Sequence, residues 1–294
     1  MQKIFKIKTL EKFLVQNDKY YDIIKNMKNI TKKYIQCVHN ANKEATPQET
    51  IYAIKSAGFD GVFLQWFNKD WEFSQQEQLE LCRKLGLEIP FVHLGYKGIN
   101  DIWRDGDEGD ILVKNYFHDL DICKSNDIDM VVMHLTSKTD APSPSQTGIK
   151  RFQQIVDYAE NLGIKIAFEN TKIFGYLEYV FENIKNKNIG ICFDSGHCHC
   201  HFEDEFNWEM FKDKIFAVHL HDNDKSKDQH LLPFDGIFDF HKFGEYIRKY
   251  KFEGTLMLEA LPKNSDFYND FTAEEFYAEA YERVKRLRRI VDGK

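Results

Sequence analysis

The sequence predicts an α/β protein folded as a closed (β/α)8 barrel of eight parallel strands. Three observations carry that prediction. Eight short apolar runs alternate with helical stretches from residue 34 to residue 291. One composition regime covers that whole span. The glycine-rich turn that an open, doubly wound sheet usually carries after an early strand is missing. The 294 residues suit a single domain over the whole chain, with a barrel core at 34–262 and a closing helix at 270–294.

Residues 1–30 are rich in Lys, Asn and Tyr, with Leu10, Phe13, Leu14, Tyr21, Ile23 and Ile24 at helical spacing, so a helical N-terminal extension is expected. The first strand is Tyr34–Val38. Thr46 and Pro47 open a helix as N-cap and first residue, and Gly58 closes it. Asp60–Leu64 is the second strand. Ser74 opens the next helix, which ends at Leu85-Gly86, and the third strand runs from Glu88 to His93. A helix over Asp110–Ser125 leads to the strand Asp129–His134. Gln146–Leu162, stopped by Gly163, leads to the strand Ile164–Glu169. Tyr176–Ile184 precedes the strand Ile189–Asp194. The seventh strand is Lys214–His219, followed by a helix at Asp239–Tyr250. Thr255–Glu259 is the eighth strand, and the charged segment Ala273–Val291 is a final helix.

In such barrels the chemistry sits where the strands end. Here six consecutive strands end in a potential metal ligand: His93, His134, Glu169, Asp194, His219 and Glu259. Any one of them alone is more often a hydrogen-bonded structural residue. Six at one register in otherwise apolar strands point to a shared site. Three buried carboxylates on one axis repel each other unless a cation joins them, and imidazole with carboxylate suits Zn, Mn, Fe, Co or Ni better than Ca. Loop residues add to the set. His197 stands one turn beyond the sixth strand, and Asp228 and His230 lie in the long loop after the seventh. His219 and His221 share one side of an extended segment, and His219, at the strand end, is the expected ligand.

Two further segments remain open. The run Cys198-His199-Cys200-His201 lacks the paired spacing of a structural zinc site and reads as loop or helix, with metal binding the lesser alternative. The stretch 98–106, containing Trp103 and Arg104, reads as a lid with Trp103 against substrate, or as a solvated connection. The balance of 40 basic and 47 acidic residues, a net charge of −7, disfavours nucleic acid as partner. No run is long and apolar enough for a membrane span, and the first residues lack a signal-like apolar stretch. A cytoplasmic location is expected, with the six Cys as free thiols. A homo-oligomer is compatible with all of this.

The segments Val131–His134, Ala167–Thr171, Phe193–His197, Val218–Asp222, Asp228–His230 with Asp235-Gly236, and Leu256–Glu259 resemble the xylose isomerase-like TIM barrel superfamily, over about residues 34–262. That superfamily holds sugar and sugar-phosphate isomerases and epimerases beside nucleases of the endonuclease IV type. In the isomerase and epimerase branch, the resemblance implies that Glu169, Asp194, His219 and Glu259 hold one divalent ion, with Zn, Mn or Co as the expected metal. Glu169 and Glu259 would also move the substrate proton through an enediolate, and His197 would contact substrate. In the nuclease branch it implies a three-zinc cluster that also takes His93, His134, His197, Asp228 and His230. His221 stands where the nuclease has Asn, and is expected to orient substrate hydroxyls with His197. The leading expectation is a metal-dependent isomerase or epimerase acting on a small carbohydrate. The alternative is a multi-zinc phosphoester hydrolase of the apurinic-site type.

Overall fold

The computed structural model describes residues 33–38, 45–66, 73–173, 175–202, 205–252 and 254–294. The helical expectation for residues 1–30 lies outside them. In chain order the elements are β1 (Tyr34–Val38), α1 (Pro47–Ala57), β2 (Gly61–Gln65), α2 (Gln75–Lys84), β3 (Val92–His93), α3 (Asp107–Ser125), β4 (Met130–His134), α4 (Gln146–Leu162) and β5 (Lys165–Glu169). Then come α5 (Tyr176–Asn183), β6 (Ile189–Asp194), α6 (Ser195–His201), α7 (Trp208–Phe211), β7 (Ile215–His219), α8 (Phe240–Lys249), β8 (Leu256–Leu258) and α9 (Ala273–Val291).

The eight strands are parallel, in the order β7-β6-β5-β4-β3-β2-β1-β8. β7 and β8 meet through one bridge, Leu220 to Leu258. There the Leu220 N–H donates to the Met257 carbonyl at 2.9 Å and the Glu259 N–H to the Leu220 carbonyl at 3.1 Å. The result is a nearly closed (β/α)8 barrel, as the alternation predicts.

Local chemistry explains where the helices start. Thr46, Ser74 and Thr272 each accept an N–H from the residue three further on, and Glu49, Glu77 and Glu275 reach back to complete capping boxes. Gly58 and Gly163 close α1 and α4 with φ of 102° and 74°, a region that L side chains avoid. β3 is shorter than expected. Pro90 has no N–H to give a ladder, and upstream only Glu88 makes a bridge, to Gly61. A Cβ at Gly61 would come within 2.3 Å of the Glu88 carbonyl oxygen, so the bare backbone of Gly61 permits that approach.

Side chains alternate along each strand and sort into two layers. Facing the helices, residues such as Leu64, Val131, Phe168, Ile191 and Val218 are buried in the main core. Facing inward, Ile35, Phe63, Phe91, Val132, Ala167, Cys192, Ala217 and Met257 pack into a plug across the barrel. The next inward position is two residues on. In β2 to β8 that position is Gln65, His93, His134, Glu169, Asp194, His219 and Glu259. An apolar floor therefore sits directly beneath a polar ring, and the ring's placement follows from strand pleating alone.

Candidate metal centre

The ring is tightly drawn together and buried. Around Glu169 Oε2 lie His93 Nε2 at 3.0 Å, His134 Nε2 at 3.3 Å and His219 Nδ1 at 3.5 Å, while His197 Nδ1 is 3.2 Å from the other carboxylate oxygen. His219 Nδ1 is also 3.2 Å from Glu259 Oε2 and 3.9 Å from Asp194 Oδ2. Asp228 Oδ2 lies 3.2 Å from His197 Nε2 and 3.4 Å from His230 Nε2. Ligand atoms of Glu169, Asp194, His219 and Glu259 all fall within 4.8 Å of one another, and so do those of His93, His134 and Glu169.

The orientation of the imidazoles suits metal ligation. Nδ1 of His93, His197 and His230 rests on the carbonyls of Leu94, Asn170 and Glu259 at 2.9, 3.0 and 2.9 Å. A carbonyl only accepts, so each Nδ1 carries the proton, and in the neutral ring Nε2 is left with a lone pair. This is the arrangement that fixes a histidine ligand's tautomer. The donor set of imidazole and carboxylate, held around buried points, fits a divalent transition metal.

Neighbouring groups hold the carboxylates. The Asn170 side chain donates to the Asp194 carbonyl and accepts the Asp194 N–H, at 2.9 and 2.8 Å, which locks β5 to β6 just past Glu169. Asp194 accepts the His197 N–H at 2.6 Å, capping α6, and faces His221 Nε2 at 3.1 Å. Gln65 donates to Glu259 at 2.8 Å. Asp222 accepts backbone N–H groups from Asn223, Phe234 and Phe238 at 2.9, 3.0 and 3.0 Å. One buried carboxylate thus ties down the loop that carries Asp228 and His230.

The charges of these groups bear on one another. Burial works against ionised Glu169, yet His219 and His134 outweigh it and hold its carboxyl well below the usual range. Glu259 is lowered in the same way, mainly by His219 against burial. Burial opposes the charged form of His230, but Asp228 raises it to about 9. Asp194 and Asp228 likewise overcome burial and raise His197. At His219 the upward pull against burial comes from Cys192 first, then Glu259 and Glu169. His134 moves the other way, because burial wins over Glu169.

The structure brings His93, His134, Glu169, Asp194, His197, His219, Asp228, His230 and Glu259 into one centre. Two other expected residues are elsewhere. Trp103 is not against the substrate space. It is buried on Phe152 and Tyr176, with its indole N–H on the Leu135 carbonyl at 2.7 Å. Its segment borders the cavity through Gly98, Asn100, Asp101 and Arg104: Ile99–Trp103 is a 3-10 helix, and buried Arg151 bonds the carbonyls of Asp101, Ile102, Arg104 and Gly106. His221 is fully buried behind Asp194, outside the cavity lining, and stacks on His230 with centroids 3.9 Å apart and planes within 10°. Ligand atoms of His221, His230 and Glu259 also fall within 4.8 Å of one another, so His221 belongs to the buried ring of polar groups and not to the surface that meets substrate. Cys198, His199, Cys200 and His201 belong to α6, and Cys82, Cys123, Cys192, Cys198 and Cys200 are free thiols.

Gln65 is the site residue that the sequence reading missed. It lies one position past the expected end of β2, and the alternation from inward-facing Phe63 would have found it. Gly196 also matters: a Cβ there would fall 1.9 Å from His221 Cε1. Gly196→Ala is expected to displace His221 from Asp194 and cost about 1–3 kcal/mol. Denaturant unfolding should show a lower midpoint at unchanged slope, and a wild-type midpoint would refute the contact.

Among known proteins, the curated relatives include an uncharacterised protein of Sinorhizobium fredii, 35% identical over 72 residues (21% of this chain and 20% of that one). Another is an uncharacterised protein of Methanocaldococcus jannaschii, 33% identical over 122 residues (36% and 40%). The chain thus spans well under half of either protein's length. Similar solved structures include the D-psicose 3-epimerase of Clostridium cellulolyticum H10 with D-tagatose (TM-score 0.71, 14% identity, 88% of this chain and 99% of that one). A D-tagatose 3-epimerase-like protein (0.69, 20%, 89% and 98%) and the IolI protein with a bound zinc (0.68, 17%, 89% and 98%) are also similar. At these identities the likeness is one of fold. Residues 51–287 match the family model described as the xylose isomerase-like TIM barrel, and the chain belongs to that family.

Proposed function

We propose that the protein is a divalent-metal-dependent sugar or sugar-phosphate isomerase or epimerase that works by proton transfer through an enediolate of the substrate. The supporting observation is the convergence of Glu169, Asp194, His219 and Glu259 within 4.8 Å, with Glu169 and Glu259 also lining a cavity of about 840 Å³. These four would hold the ion. When bound, a Zn, Mn or Co ion would supply Lewis acidity at a carbonyl and its neighbouring hydroxyl.

The chain's own groups do the rest. Glu169 rises from β5 and Glu259 from β8, so the two carboxylates reach the substrate space from different strands. One, ionised, accepts a proton from the carbon beside the carbonyl, and the other, entering the step protonated, gives its proton back to that carbon. Gln65 and the backbone-anchored His197 keep Glu259 and Glu169 in place. His197, which lines the cavity, would orient substrate hydroxyls. Asp194 and His219 lie beneath, fully buried, as ligands only. The similar epimerase and IolI structures support a carbohydrate as substrate and zinc as one acceptable metal.

A second reading, a multi-zinc phosphoester hydrolase, is favoured by two observations. His93 and His134 converge on the same Glu169 oxygen, and Asp228 stands between His197 and His230. One experiment separates the two. Metal content per chain is measured, and the protein is then incubated with ketoses and their phosphates in deuterated water. One ion and deuterium at the carbon next to the carbonyl support the isomerase or epimerase. Two or three zinc ions, no exchange and cleavage of an abasic-site duplex would replace that reading with hydrolysis.

A further inference from the structure

The cavity has two electrostatic zones. Its floor is the ring of carboxylates and imidazoles. Its rim is cationic: Lys97, Arg104, Lys138, Lys172 and Lys263 line it, from the loops after β3, β4, β5 and β8. The same loops add two carboxylates to the lining, Asp101 and Asp140, and Asp101 is paired with Arg104 at 2.8 Å. Lys97 and Lys138 are exposed, and no ion pair among the described residues engages either. Lys172 reaches toward the floor, its Nζ 4.0 Å from Asp228 Oδ2. In a chain of net charge −7, such a rim is a local reversal of sign and not a background property.

We infer that the rim binds a phosphate monoester, so that the substrate of the proposed isomerase or epimerase is a phosphorylated sugar. This rests on that functional reading and narrows its substrate class. A neutral sugar offers the exposed ammonium groups of Lys97 and Lys138 no opposite charge. A dianion at the far end of a small carbohydrate meets lysine ammonium groups from several loops while the reacting carbons reach the floor. Lysine binds phosphate as a point charge without fixed geometry, which suits flexible side chains at an open mouth. Duplex DNA fits less well. The cations converge on one cavity of small-molecule size, whereas a duplex must be met by many cations along an extended face.

The test is calorimetric titration of the full-length, metal-containing protein with D-fructose, D-ribulose and the phosphate monoester of each. The esters are expected to bind at least about tenfold more tightly than the free sugars, with the advantage shrinking at high salt. Lys97→Met and Lys138→Met should each weaken ester binding by about two- to fivefold and leave free-sugar binding unchanged. Equal affinity for ester and free sugar would overturn the inference. So would variants that weaken both alike, or a preference for duplex DNA over the esters. The catalytic reading is scored separately by solvent deuterium. Ester preference without exchange upholds the rim and removes the isomerase. Exchange into free sugars without ester preference does the reverse.

Discussion

Glu259→Gln is expected to lower turnover by about two to four orders of magnitude while leaving the fold intact. The substitution is nearly isosteric, and the amide oxygen can still accept the hydrogen bond that Gln65 now gives to Glu259 at 2.8 Å. What is lost is the negative charge and the ability to carry a proton. Glu259 also faces His219 at 3.2 Å, so metal affinity should fall as well. Metal content must therefore be measured beside the rate. A variant that keeps its metal yet no longer exchanges substrate protons with solvent places Glu259 in the proton transfer. A variant that keeps wild-type exchange removes it.

Stripping the divalent ion should change stability in a pH-dependent way. In the metal-free chain His230 is raised to about 9 from 6.5 by Asp228. A group raised on folding contributes fully below its unfolded value, and its contribution fades as pH climbs through the folded one. Between pH 6.5 and 9 the metal-free protein should therefore lose on the order of 3 kcal/mol from this pair. Glu169 and Glu259 are lowered on folding, so their contribution is present at neutral pH and disappears in acid. Metal replaces protons only at the groups that ligate it, so one ion on Glu169, Asp194, His219 and Glu259 should leave this alkaline loss in place, whereas a cluster that also takes Asp228 and His230 should remove it. At a thousandfold excess over Kd the ion adds about 4 kcal/mol, several degrees in Tm. Thermal scans from acid to alkaline pH, with and without chelator, give the comparison. Superimposable curves would mean that no ion is bound at this centre.

Most of this centre was legible before folding because strand pleating is simple. His93, His134, Glu169, Asp194, His219 and Glu259 each follow an apolar run, and a period of two places them above the inward plug. The loop residues Asp228 and His230 were legible as candidates from residue type and loop position, and only the resemblance suggested that they join the ring. Their placement depends on Asp222 gathering three distant N–H groups, a tertiary event without a local signature. Trp103 failed for a related reason. An aromatic in a loop beside Arg and Gly looks exposed, but Gly148 leaves it a slot, since a Cβ there would lie 2.1 Å from the indole. His221 was mistaken for a substrate contact because alternation gives its side but not its depth. α6 and α7 are too short for a periodic pattern to show.

β7 and β8 share a single bridge, where other neighbouring strands share ladders of two to five pairs. His219 ends one of these strands and Glu259 follows the other, so two proposed ligands flank the cylinder's weakest join. An ion gripped by both would act as a clasp over that join, and its departure would let the wall part there before anywhere else.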